Sequence, residues 1–324
     1  LLMQFDQRNK SVYDIMKRAQ SVLLVSHRGP DGDTIGATSA LRRWCEREGI
    51  AVVNFCTDPL PQKYLFLAGT EKYVSDPAVF DDGKHDVVVV CDCGDSRFAG
   101  IDSHIDSLKK RATVINFDHH PTNEGYGHLN IIDAAASSTC ELVYRFFVDN
   151  QVEICRDMAT SLLTGLLTDT GNFSNPATTR DAIEAASGLL KSGARMHDVG
   201  RNLFRNKSVG SLRLWGAVLA RLKYDEKLGV ASTVILADDL NEETTDEHVE
   251  GVSNFLNTFL DADVIMVLRE MPDGQVRGSL RSVEGVDVSR VAKLMGGGGH
   301  CKAAGFSMAG RIVEETDVWR VERT

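Results

Sequence analysis

Four short apolar runs constrain this chain more than anything else in it. They are Ser21-Val22-Leu23-Leu24-Val25, residues 51–55, residues 86–91 with four consecutive valines, and residues 113–117. Apolar side chains on both faces of a strand mark a sheet covered on both sides. Helical patterns lie between and after the runs. They cover residues 11–19, 35–48 (with Asp33 or Thr34 as N-cap), 137–149, 157–167 and 179–192. Strands alternating with helices predict an α/β fold with a doubly wound, mainly parallel sheet.

Ligands of such sheets collect at the carboxyl ends of the strands. There the sequence places His27, Asp31 and Asp33, then Asp92, then Asp118-His119-His120. Asp169 stands at the end of the 157–167 helix, with Gly171 as a stop signal. Singly, each has a bland reading: an Asp-Gly surface turn, a strand-end acid, a helix-terminal acid, two histidines capping a strand. Together they deliver carboxylates and imidazoles from separate segments to one rim. Gly32 lets Asp31 and Asp33 leave one loop in different directions. Two metal ions about 4 Å apart need carboxylates that bridge or flank them. One imidazole of the His-His pair can bind metal while its neighbour faces a phosphate, and Asp118 can orient an imidazole. The set reads as a two-metal phosphoesterase site. Asp and His donors without thiolates favour Mn²⁺ first, with Mg²⁺, Co²⁺ or Fe²⁺ as alternatives. The sequence has neither a Gly-x-x-x-x-Gly-Lys-Ser/Thr loop nor a Gly-x-Ser-x-Gly elbow, so a nucleotide-driven motor and a serine hydrolase have no support.

With 324 residues the chain predicts two domains. Its formal net charge of −10 suits it poorly to gripping long nucleic acid. The seven cysteines are odd in number and scattered, which argues for a reducing cytoplasm over a disulfide framework. Cys91-Asp92-Cys93 has the wrong spacing for a zinc–thiolate pair and reads as small buried thiols. No apolar run is long enough to cross a bilayer.

Residues 191–223 are basic: Lys191, Arg195, Arg201, Arg205, Lys207, Arg213, Arg221 and Lys223 against the single acid Asp198. They read as two connecting helices, either a solvated connector or a basic wall that attracts phosphates. Beyond them the pattern predicts strands over 230–236, 263–269 and 275–281, helices over 246–259 and 287–295, and a hairpin turn at Pro272-Asp273-Gly274. The expected division is 1–193 for the metal-bearing domain, 194–223 for a helical connector and 224–324 for a smaller α/β domain. Gly296 to Gly299 precede His300. Their backbone N–H groups are expected to surround a phosphate, with residues 301–304 starting a helix behind them.

The set His27-x-x-x-Asp31-Gly-Asp33, Asp92, Asp118-His119-His120 and Asp169-Thr-Gly171 resembles the DHH phosphoesterase superfamily. The Arg281-Ser282 segment and Gly-Gly-Gly-Gly-His300-x-x-Ala-Ala-Gly305 resemble its associated C-terminal domain. Within the superfamily, the compact two-domain bacterial oligoribonucleases that also dephosphorylate 3′-phosphoadenosine 5′-phosphate are the most similar group. The resemblance implies that His27, Asp31 and Asp92 bind one metal and that Asp33, Asp92, His119 and Asp169 bind the other. It implies that His120 contacts the scissile phosphate, with Asp92 and Asp118 also catalytic. Ser279, Arg281, His300, Gly297, Gly298 and Gly299 would bind substrate. It further implies a cytoplasmic homodimer with two Mn²⁺, acting on short RNA or small nucleotides in a cleft between domains. Three rivals stand beside it: a cyclic or linear dinucleotide phosphodiesterase, an inorganic pyrophosphatase or exopolyphosphatase, and a non-catalytic nucleotide sensor. The glycine motif argues against the pyrophosphatase, and the complete acid set against the sensor.

Overall fold

The computed structural model describes residues 5–204, 208–240, 249, 252–283, 285–315 and 318–322. They form two compact units, Leu1–Asn206 and Lys207–Thr324.

The first unit runs α1 (Phe5–Arg18), β1 (Ser21–Val25), α2 (Gly32–Arg47), β2 (Ala51–Phe55), β3 (Tyr73–Val74), β4 (Val87–Cys91), α3 (Ile105–Arg111), β5 (Thr113–Asp118), β6 (Leu129–Ile132), α4 (Thr139–Asp149), α5 (Arg156–Asp169), α6 (Arg180–Lys191) and α7 (Met196–Phe204). Its six strands are all parallel, in the order β3-β2-β1-β4-β5-β6. Successive side chains of a strand point to opposite faces. Accordingly Val22, Leu24, Val87 and Val89 enter one core with Leu41, Phe146 and Leu162 from the helices. Leu23, Val25, Val88 and Val90 enter the other, with Leu108 and Phe80. The strand order reverses between β1 and β4, which leaves a crevice at their carboxyl ends. Asp92 follows the end of β4 directly, and His27 lies two residues past the end of β1.

Helices α2 and α5 pack at a distance only glycine allows. A β-carbon on Gly36 would sit 2.4 Å from the Ser161 carbonyl oxygen, and one on Gly32 would overlap the Thr168 side chain. The start of α2 therefore lies against the end of α5.

The second unit runs α8 (Val209–Ala220), β7 (Lys223–Asp225), β8 (Val230–Ile235), α9 (Val252–Phe259), β9 (Val264–Glu270), β10 (Gln275–Ser282), α10 (Val288–Leu294), β11 (Gly298–His300), β12 (Ala303–Ala309), β13 (Arg311–Glu314) and β14 (Trp319–Glu322). One sheet has the order β11-β12-β10-β9-β8-β7, and β13 pairs with β14. Only β8 and β9 are parallel in that sheet. Leu214, Val218, Val252 and Leu256 of α8 and α9 cover one face. Val288, Ala292 and Ile312 pack on the other, against Val276 and Leu280. Gly274 takes φ 76° in the expected hairpin turn, which closes with Met271 N–H on the Gln275 carbonyl at 2.8 Å.

Several expectations need correction. The N-cap of α2 is Asp31, not Asp33 or Thr34: its Oδ1 accepts from the backbone N–H of both. The segment 298–309 is a β-hairpin, and residues 301–304 start no helix. A β-carbon on Gly299 would stand 2.6 Å from the Ala303 carbonyl oxygen, so glycine there lets β11 lie close to β12. Of the six basic residues described in 191–223, four have acidic partners. Arg195 bonds Asp157 at 2.8 Å, Arg201 bonds Asp198 at 3.1 Å, and Arg221 bonds Asp239 at 2.9 Å. Lys223 meets Glu314 and lies 4.3 Å over the Trp319 ring. Arg205 and Lys207 lie outside the described residues, as does most of 246–251. Among the described residues no helix is long and apolar enough to cross a membrane.

Candidate metal centre and substrate pocket

Asp92 is the hub of the first unit's site. It is buried at the end of β4 and takes φ 61°, a conformation that side chains rarely adopt and that concentrates at functional positions. Its two oxygens face different partners. Oδ2 lies 3.4 Å from His27 Nε2, and Oδ1 lies 3.5 Å from His119 Nε2. Three groups with metal-ligand spacing result: His27, Asp31 and Asp92; Asp33, His119 and Asp169; and Asp92, His119 and His120. All six expected metal ligands are thus brought together.

Each ligand is held from behind. The Asp33 carboxylate accepts the first two N–H groups of α4, Thr139 N at 2.6 Å and Cys140 N at 2.8 Å, where the helix dipole favours negative charge. Thr139 Oγ1 also reaches Asp92 Oδ1 at 3.1 Å. Asp169 arrives through the α2–α5 contact and lies 3.2 Å from His119 Nε2. His27 Nδ1 bonds the Arg28 carbonyl at 2.7 Å, and His119 Nδ1 faces the Ala136 carbonyl at 3.4 Å. Both rings so turn Nε2 toward the carboxylates, the arrangement that fixes a metal-ligating imidazole. Phe98 stacks on His27 with ring centroids 4.9 Å apart.

His120, though in the third of these groups, is not one of the six expected ligands. Its Nδ1 lies 2.7 Å from Asp118 Oδ1, and its side chain is 46% exposed. Asp118 is wholly buried, and its other oxygen accepts from Asn123, which also bonds Asn116 at 2.7 Å. Thr139, Asn123 and Phe98 went unnoticed in the sequence, and Asn116 had no role there. None stands in a pattern that marks it, since their roles come from tertiary neighbours.

The electrostatics call for positive charge. Burial, then the charges of Asp169 and Asp92, push Asp33 well above the usual carboxylate range. Burial raises Asp169 to about 6 despite its bond with His119. Burial works against protonation of His27, but hydrogen bonds with Asp31 and Asp92 outweigh it and lift its pKa to about 10. His119 likewise reaches about 10, against burial, through Asp169, Asp33 and Asp92. Two imidazolium protons thus stand where cations would relieve the carboxylates. The donor set of oxygens and Nε2 atoms fits hard or borderline divalent ions. Cys91, Cys93 and Cys140 are buried close by, with their thiols pushed up by burial, and belong to none of the three groups.

The second unit has a pocket of about 630 Å³ over β9, β10 and β12. Ser279, Arg281 and Gly297, all expected to bind substrate, line it, together with Arg269 and Arg277, which the sequence reading missed. Gly298, Gly299 and His300 lie in β11 and are not among its lining residues. Gly297 is required by packing: a β-carbon there would stand 2.0 Å from the Gly305 carbonyl oxygen.

A parallel-sheet domain with a carboxylate–imidazole cluster at its switch point, followed by a second α/β unit with an arginine-lined pocket, defines a metal-dependent phosphoric ester hydrolase. The chain belongs to the DHH family. The DHH family, N-terminal domain, matches residues 21–166, and the DHHA1 domain matches residues 229–317. The bifunctional oligoribonuclease and PAP phosphatase NrnA of Thermus thermophilus is 31% identical over 95% of this chain and 91% of its own. The Bacillus subtilis protein of the same description is 25% identical over 93% and 91%. The cyclic-di-AMP phosphodiesterase PdeA of Listeria monocytogenes is 26% identical over 95% of this chain and 48% of its own. An exopolyphosphatase-related protein from Bacteroides fragilis shares the fold with a TM-score of 0.81, at 26% identity over 93% and 90% of the two chains.

Proposed function

We propose that the chain hydrolyses short oligoribonucleotides and 3′-phosphoadenosine 5′-phosphate with two Mn²⁺ ions. The observation that carries this is the Asp92 carboxylate, with one oxygen toward the His27–Asp31 group and the other toward His119. His27, Asp31 and Asp92 would hold one ion, and Asp33, Asp92, His119 and Asp169 the other. When bound, such ions lower the pKa of water and offset charge on a phosphoryl group in the transition state. The protein's own part is positioning and proton control. Asp118 accepts from His120 Nδ1–H and, ahead of the opposing effect of burial, raises that imidazole's pKa. That favours the protonated imidazole, which would present Nε2–H to the scissile phosphate. Residues 1–193 would carry the chemistry, 194–223 the connection and 224–324 the grip on substrate, with His300, Gly298 and Gly299 contributing beside the pocket residues. The names of the Thermus and Bacillus relatives support this substrate class. Unpaired cysteines support a cytoplasmic setting, and the family resemblance a homodimer.

The Listeria relative favours a second reading, hydrolysis of cyclic or linear dinucleotides. One panel separates them. The chain with Mn²⁺ is given 3′-phosphoadenosine 5′-phosphate, di- to pentaribonucleotides, cyclic di-AMP and pyrophosphate. Turnover of the first two classes is expected to dominate. Preference for cyclic di-AMP or pyrophosphate would replace the reading, and binding without turnover of any would leave a sensor.

A further inference from the structure

Six residues past Asp92, the same loop carries Phe98. Its neighbours Ala99 and Ile101 are wholly buried in the core with Leu23 and Val88. The Phe98 ring is 50% exposed and lies on the buried imidazole of His27, with the two planes only 14° apart. The backbone holds this stack from both sides. Phe98 N–H donates to the Asp95 carbonyl at 3.0 Å, and the Phe98 carbonyl accepts from Arg28 N–H at 3.0 Å. Gly100, at φ 72°, lets the loop close on its neighbours: a β-carbon there would stand 2.7 Å from Thr57 Oγ1 and 3.2 Å from Arg28 Nε. His27 is thus fixed in two directions. The Arg28 carbonyl takes its Nδ1 edge at 2.7 Å, and the Phe98 ring sets its tilt. Nε2 is left facing Asp31 and Asp92. The face of an aromatic ring is negative, so it favours an imidazole that gains positive charge by holding a metal ion. The group of Asp33, His119 and Asp169 contains no residue of this loop and is held instead by the start of α4, the Ala136 carbonyl and the end of α5.

We infer that Phe98 is a positioning residue for one ion of the pair, the one at His27, Asp31 and Asp92, and that the affinities of the two ions are set by different parts of the chain. The loop after β4 then has two tasks. Asp92 at its start supplies a ligand, and Phe98 further on aims another. The inference rests on the two-ion reading of the proposed function and adds to it a residue that acts on one ion alone.

The test measures metal binding, not turnover. The full chain is stripped with EDTA, dialysed and titrated with Mn²⁺ alone, followed by calorimetry and by the electron paramagnetic resonance of free Mn²⁺. The parent chain is expected to bind two ions. In Phe98→Ala one binding event should weaken about tenfold, the loss that follows removal of a group orienting a metal-bound imidazole, while the other stays in place. Phe98→Tyr keeps the ring face and should bind as the parent does. Phe98→Leu keeps apolar bulk without the face and should behave as Phe98→Ala. If Phe98→Ala does not fold, the contrast between Phe98→Leu and Phe98→Tyr carries the test. Fewer than two ions in the parent, equal weakening of both events, or parental binding by Phe98→Leu overturns the inference. If the contrast holds while the chain with Mn²⁺ hydrolyses no phosphoric ester, the proposed function fails and the positioning role stands.

Discussion

Gly165 of α5 lies against Asp33 of α2 so closely that a β-carbon on it would stand 2.8 Å from the Asp33 carboxylate oxygen Oδ1. The same β-carbon would overlap Cys140 Sγ, whose backbone N–H holds that oxygen. Packing between two helices and placement of a metal ligand are therefore one contact. Gly165→Ala is expected to lower unfolding free energy by about 1–3 kcal/mol through overpacking. It should weaken Mn²⁺ binding as well, since Asp33 must shift. Thermal unfolding with and without Mn²⁺ checks both. A variant with a lowered midpoint and unchanged metal affinity would show that Asp33 does not depend on this contact.

That contact also marks where the sequence stopped being legible. The strands β1, β2, β4 and β5 were plain because valine-rich runs admit few other structures. The rim was plain because acids and histidines follow those runs at once. The neighbourhood of Asp33 and Asp169 was not. It depends on Gly36 and Gly165 in mid-helix, where nothing local signals a close approach. The strand β12 escaped notice because Ala303, Ala304 and Gly305 have little preference for strands. Arg277 was within reach, since alternation along 275–281 puts it on the face of Ser279 and Arg281. Arg269 became visible only with the β9–β10 register.

Asp92 gives the most direct prediction. Because its two oxygens serve two groups of ligands, Asp92→Ala should lose most bound Mn²⁺ and nearly all activity together. Metal analysis after gel filtration, beside a turnover assay, decides it. Full occupancy with normal turnover would end the two-metal reading.

The Asp118–His120 pair separates proton control from binding. In Asp118→Asn the imidazole loses the carboxylate that raises its pKa, so it gives up its proton at a lower pH. The alkaline limb of the kcat profile should move to lower pH, and kcat at neutral pH should fall about a hundredfold. Mn²⁺ content should stay the same, because Asp118 is in none of the three ligand groups. An unshifted profile would remove His120 from the chemistry.

Metal removal should turn the site into a pH-dependent weakness. In the metal-free chain His27 and His119 have folded pKa values of about 10 against 6.5 unfolded. The stability they contribute is fully present below 6.5 and is lost as pH rises through 10. Asp169, raised from 3.8 to about 6, adds a loss at lower pH in the same direction. Asp31 is lowered and acts oppositely, losing its contribution only as pH falls into the acid range. The unfolding midpoint in EDTA should thus drop between pH 6.5 and 9.5. Added Mn²⁺ should raise the midpoint more at the higher pH, where fewer protons have to be displaced. A flat profile in EDTA would mean that these imidazoles are not protonated by the cluster.

Substrate length follows from charge and size. The chain carries −10, and most of the basic residues described in 191–223 already have acidic partners. A long single strand therefore meets a surface that repels it. The arginine-lined pocket of about 630 Å³ is of the size that takes one small ligand, with little room for a chain. Ribonucleotides of two to five residues should be hydrolysed faster than a twenty-residue RNA at equal concentration of ends. Salt should slow the reaction only modestly, since the dependence scales with the number of phosphates neutralised, and three arginines line the pocket. Rates measured across lengths and from low to moderate salt test both statements together. A rate that climbs with length, or a salt slope like that of a protein making many phosphate contacts, would identify a processive exonuclease with a binding track outside this pocket.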